Sequence, residues 1–163
     1  MKTTRSLKVW AVIGDANARK TSTIRALTGV KNVPRRPTAR YPYPLLWDVT
    51  FKKHRTVKAF VYPCALQEVA LTSAAFVAMV AGSGATDVIV ALRYYHRNHG
   101  DAANYLTDFA TAGWTIVGCA VLGPDPTALL KTLPGAITIH VPVAAATPSN
   151  QIAARLRKAW SIV

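Results

Sequence analysis

The spacing of two apolar segments does most to limit how this chain can fold. Leu45 to Lys52 and Val57 to Tyr62 both read as strands, and only Lys53, His54, Arg55 and Thr56 lie between them. A parallel crossover needs about a dozen residues or more, so this link allows only an antiparallel hairpin. Four further apolar runs have strand character: Lys8 to Ile13, Asp87 to Arg93, Thr115 to Leu122 and Ala136 to Val141. Several are near-continuous Val, Ile and Ala, as expected of strands buried on both faces. Helix-sized segments cover Lys20 to Thr28, Leu66 to Ala81, Asp101 to Ala112, Pro126 to Leu133 and Ser149 to Trp160, the last with Ser149 as its expected N-cap. The pattern predicts one α/β domain over residues 1–163. It has three layers and a six-stranded, mostly parallel sheet with one antiparallel strand.

The stretch Val9 to Gly29 reads VWAVIGDANARKTSTIRALTG. A strand runs into Gly14, and Lys20 and Thr21 open a helix. The spacing matches the phosphate-cradling loop G-x-x-x-x-G-K-[ST] except that Arg19 stands where the second glycine belongs. In such a loop the backbone N–H groups from Asp15 to Lys20 surround phosphate, and Asn17 and Ser22 lie on its path. Lys20 supplies a point charge, and Thr21 offers a hydroxyl to Mg²⁺. The alternative is an ordinary helix start.

Charge points the same way. The chain carries 20 Lys+Arg against 7 Asp+Glu, a net +13 at pH 7, which favours anionic partners. Cys64 and Cys119 sit in apolar contexts without C-x-x-C spacing and read as reduced, buried thiols, consistent with a cytoplasmic protein. The longest apolar run, Val69 to Ala81, is shorter than the roughly 20 residues of a membrane-spanning helix. His96 and His99 have H-x-x-H spacing, with no Cys or carboxylate ligand placed beside them.

The succession of strand, phosphate loop, helix, long loop, hairpin and alternating helices and strands resembles the small Ras-like GTPases, and the whole chain fits that order. The resemblance implies a first switch region over Val30 to Pro44, with Thr38 completing a Mg²⁺ shell. It places Tyr62-Pro63-Cys64-Ala65-Leu66-Gln67-Glu68 where that family carries D-x-x-G followed by Gln and Glu. Gln67 then stands where a water-orienting catalytic residue belongs, while Pro63 replaces the acid that supports the metal. Asp125 is what remains of the base-reading motif. The resemblance therefore implies a diverged member, a nucleotide (GTP or ATP) binder with Mg²⁺ as companion ion and weak or absent hydrolysis.

A second reading stays open from the residues themselves. Arg35, Arg36 and Arg40 alternate with tyrosines and prolines in the long loop. Lys52, Lys53 and Arg55 crowd the hairpin tip, and Arg93 and Arg97 flank Tyr94 and Tyr95. Cations mixed with aromatic rings suit RNA or DNA. The segment 66–81 is apolar nearly all round and suits a protein partner or a second copy. On this reading the chain is a non-enzymatic nucleic-acid-binding or assembly module.

Overall fold

A computed structural model describes residues 6–29, 46–51, 55–133 and 136–162. Its elements are β1 (Lys8–Gly14), α1 (Lys20–Thr28), β2 (Leu46–Phe51), β3 (Arg55–Ala65), α2 (Ser73–Ala81), β4 (Asp87–Arg93), α3 (Ala102–Thr111), β5 (Thr115–Leu122), α4 (Thr127–Thr132), β6 (Ile137–Val141) and α5 (Ser149–Trp160). The six strands form one sheet in the order β2-β3-β4-β1-β5-β6. β2 and β3 pair antiparallel and every other neighbouring pair is parallel, as the short hairpin link requires.

Strand alternation sends side chains to two cores. On one face Trp10, Val12, Ile89 and Ala120 meet α1 and α5 through Ile24, Leu27, Ile152 and Leu156. On the other, Val9, Ala11, Phe60 and Val90 meet α2, α3 and α4 through Phe76, Phe109 and Leu129. Phe76 is the hub of this second core, with ring centroids of Phe60, Tyr62 and Phe109 all 5.6–5.7 Å away. The expected stripe on the last helix (Ile152, Leu156, Trp160) is fully buried. Cys64 and Cys119 are buried and form no disulfide, and burial pushes the Cys119 thiol up to about 12.

Two details depart from the sequence reading. The segment 66–81 is not one helix: a 3-10 turn over Leu66–Val69 ends at Ala70, which is left-handed at φ 55°, and α2 starts afresh at Ser73. Thr72 caps the new helix by accepting from the Ala75 N–H at 3.2 Å. The outward residues of α2 are Ala74, Ala75, Ala78 and Ala81, so its exposed face carries small side chains. In α5, Pro148 rather than Ser149 holds the N-cap position, and no side chain caps that end. Among the described residues, no helix is long and apolar enough to cross a membrane.

Candidate phosphate-binding cleft

The site sits where the sheet changes direction. β1 leads to α1 on one face, while its neighbour β4 leads to α3 on the other. Connections that leave adjacent strands toward opposite faces open a crevice at the strands' carboxyl ends, the usual ligand position in α/β sheets. Gly14 and Arg93 are the register partners at this end, and the Tyr94 N–H donates to the Gly14 carbonyl at 3.1 Å.

The β1–α1 loop is a tight turn. Asn17 (φ 59°) and Arg19 (φ 62°) are left-handed and flank Ala18, which is not. Alternation of this kind turns successive backbone N–H groups toward one concavity, an anion-binding arrangement. Gly14 admits no side chain: a Cβ there would lie 2.8 Å from the Leu122 carbonyl oxygen and 2.9 Å from Ala18 Cβ. Arg19 takes the backbone conformation that favours glycine, and its side chain stays at the cleft, with Nε donating to the Ala145 carbonyl at 3.0 Å.

Lys20 lies under the loop, 5 % exposed. Its ammonium donates to the Asp15 carbonyl at 2.5 Å and stands 3.8 Å from a Glu68 carboxylate oxygen. The same oxygen is 3.4 Å from Arg93 Nη1. Burial holds the Lys20 pKa below its ordinary 10.5. Glu68 opposes that shift, Arg93 adds to it and Asp15 opposes it. Around these groups lies a cleft of about 590 Å³, also lined by Asn17, Thr21, Ser22, Arg25 and Cys64.

The predicted nucleotide-binding residues therefore split. Asn17, Arg19, Lys20, Thr21 and Ser22 line one cleft; Gly14 and Asp15 do not line it, though the Asp15 carbonyl accepts from the Lys20 ammonium. Asp125 does not line it. Its carboxylate accepts from the Thr127 N–H at 2.9 Å and the Thr127 hydroxyl at 2.6 Å, starting α4, and these bonds lower its pKa. Gln67 is buried, and its side-chain amide is fully engaged. It accepts from the Arg93 N–H at 3.0 Å and donates to the carbonyls of Arg93 at 3.1 Å and Gly100 at 3.2 Å. It thus ties the end of β4 to the approach of α3. Gln67→Ala removes these bonds and is expected to cost about 1–3 kcal/mol in chemical denaturation, because the Arg93 N–H loses its acceptor.

Among the described residues, the donor set does not fit Mg²⁺. The Thr21 hydroxyl donates to the Pro63 carbonyl at 2.9 Å, the residue at the acid's place is proline, and Glu68 is held by two cations. A protein-held Mg²⁺ calls for carboxylate ligands. Among the described residues, no three His, Cys, Asp or Glu side chains are grouped to hold a metal. His96 Nδ1 instead accepts from the Asn98 and His99 N–H groups. Thr38, Arg35, Arg36, Arg40, Lys52 and Lys53 lie outside the described residues. Arg55 and Arg97 are exposed and far apart in the chain, at the start of β3 and in the loop after β4.

Glu68, which lines the cleft, and Arg93 beside it form an ion pair that sequence reasoning did not give them. Glu68 was visible only as a match to the family's acid after Gln, and Arg93 only as part of a basic loop. No family model, curated protein or solved structure matches the chain.

Proposed function

We propose that this chain is a small nucleotide-binding protein of Ras-like element order that holds the phosphate chain of GTP or ATP in the β1–α1 loop and hydrolyses it weakly or not at all. One observation carries the reading. A carboxylate, Glu68, already sits between a buried lysine and an arginine at the mouth of a loop with left-handed residues at Asn17 and Arg19. The position is built to satisfy an anion. A terminal phosphate has the same charge sign and would gain the loop amides as well.

Weak or absent turnover follows from what surrounds the loop. Proline replaces the metal-supporting acid, and Gln67 is committed to Arg93 and Gly100 rather than free to orient water. The Ras-like comparison rests on the order of elements along the chain. In the sheet, β4 comes between β1 and β3, so the segment Pro63–Leu66 leaves a strand one removed from the loop.

Equilibrium binding of fluorescent GTP and ATP to the wild type and to Lys20→Met tests this. Lys20→Met is expected to weaken binding by at least about tenfold, the loss of one charge-assisted contact. Equal binding by both proteins, or none to the wild type at millimolar nucleotide, removes the proposal. Binding is also expected to fade as pH rises through the depressed Lys20 pKa, below 10.5, because the ammonium that meets the phosphate is then lost. Nucleotide binding in that window should take up protons, since a bound phosphate restores the charged form.

A further inference from the structure

The chain has 7 Asp and Glu side chains, and all of them fall among the described residues, so each can be placed against the phosphate cleft. Glu68 alone lines it, and that carboxylate faces Lys20 and Arg93. Asp15 belongs to the β1–α1 loop but is exposed and does not line the cleft. Asp48 is the register partner of Lys58 near the amino end of β3, and Asp87 is the first residue of β4. Asp101 precedes α3, Asp108 accepts from the Ser73 hydroxyl, and Asp125 accepts from Thr127. Cations gather where these carboxylates do not. Arg19, Lys20 and Arg25 all line the cleft.

We propose that the cleft takes the phosphate chain in its metal-free form, and that Arg25 supplies countercharge where the Ras-like resemblance implies Mg²⁺. The inference rests on the nucleotide reading above. Protein-bound Mg²⁺ is usually held by one or two carboxylates together with substrate phosphates. The cleft offers only Glu68, already shared by two cations, and the neutral Thr21 hydroxyl, which donates to the Pro63 carbonyl at 2.9 Å. The lysine and arginines around it oppose a further positive ion.

The position of Arg25 suits the task. It follows Thr21 by four residues in α1, one turn on and on the same helix face, about 6 Å along the axis. Helical side chains lean toward the amino end of their helix, so Arg25 leans toward the turn that carries Thr21 and Ser22. All three line the cleft. A guanidinium has five N–H donors in a planar fork and can give two parallel bonds to one phosphate. It can keep a protein neighbour and still meet a phosphate, as Arg19 can while holding the Ala145 carbonyl. Mg²⁺ in solution competes with these cations for the same phosphate oxygens, so the metal-free nucleotide is the better ligand.

Titration of fluorescent GTP tests this in two buffers, one stripped of divalent ions on a chelating resin and one with excess Mg²⁺. A resin is used because soluble chelators are themselves anions. Affinity without the metal should equal or exceed affinity with it. Arg25→Met should bind about tenfold more weakly in the stripped buffer, Mg²⁺ should not restore it, and Arg25→Lys should recover part of the loss. A wild type that binds more than about threefold tighter with Mg²⁺ overturns the inference and leaves nucleotide binding intact. Wild-type affinity in Arg25→Met overturns it as well. No binding in either buffer removes the nucleotide reading and this inference together. If Arg25→Met fails to fold, paramagnetic resonance of Mn²⁺ with the wild type decides. Adding protein to Mn²⁺–GTP should raise the signal of free Mn²⁺, and an unchanged or falling signal refutes the proposal.

Discussion

Trp160→Ala is expected to lose roughly 3–5 kcal/mol of stability, the largest cost of any single truncation considered for this chain. Trp160 is the largest fully buried side chain. Its ring packs against Trp10 with centroids 5.5 Å apart and lies over Gly118 of β5. A Cβ on Gly118 would stand 2.6 Å from Trp160 Nε1 and 2.9 Å from Trp10, so the indole fills space that only glycine leaves open. Truncation empties that space between α5 and the sheet, and rigid strand backbone cannot close it. Thermal unfolding should shift by about 2–4 °C for each kcal/mol lost. Trp160→Phe gives the control. The indole N–H is buried with no hydrogen-bond partner among the described residues, so phenylalanine removes an unsatisfied donor while keeping much of the volume. It should cost clearly less than alanine. Equal losses for Phe and Ala would mean that the contact at Gly118, rather than the filled volume, holds α5 in place.

Glu68→Gln is expected to act in the opposite sense on binding, tightening phosphate ligands by about tenfold or more. The carboxylate of Glu68 stands between Lys20 and Arg93, where it both shields these cations and repels an incoming phosphate. Glutamine keeps the shape and removes the charge. The free protein should become less stable near neutral pH, because the Glu68 charge is what counteracts the burial penalty on Lys20. The sign follows from linkage. Lys20 has a folded pKa below 10.5, so the unfolded chain binds more protons between those two values and stability rises with pH across that window. Removing Glu68 lowers the folded pKa further and widens the window. Calorimetric titration with the nucleotide, together with thermal melts across that pH range, measures both effects. Combined with Lys20→Met, the gain in affinity should vanish. A Glu68→Gln protein that binds no tighter than the wild type would show that the carboxylate and the phosphate occupy different places.

Much of the fold was legible because its signals are local. The short link between Lys52 and Val57 forces a hairpin whatever the rest of the chain does, and continuous Val and Ile runs mark strands with helices on both sides. The broken segment 66–81 was not legible. Ala70 takes a left-handed conformation with no glycine or asparagine to announce it, and Thr72 reads as one polar residue in an apolar run until its hydroxyl is seen capping α2. The cleft was half legible. Gly14, Lys20 and Thr21 stand out at fixed offsets, but Glu68 and Arg93 reach Lys20 only through the sheet, across dozens of residues. Asp125 shows the converse. A residue type that suits base recognition is spent on a local turn, and only the position of the Thr127 N–H reveals it.

The two glycine positions of the phosphate-loop pattern are held by different constraints. At Gly14 the obstacle is volume: a carbonyl oxygen of the neighbouring strand leaves no room for a methyl group. At Arg19 the demand is only torsional, a left-handed φ that costs a non-glycine residue about 1–2 kcal/mol, with room for the side chain to reach the Ala145 carbonyl. A loop of this design has one end that substitution cannot touch and one that it can. Sequence drift is therefore free to erase half of the recognisable signature while the bend itself persists.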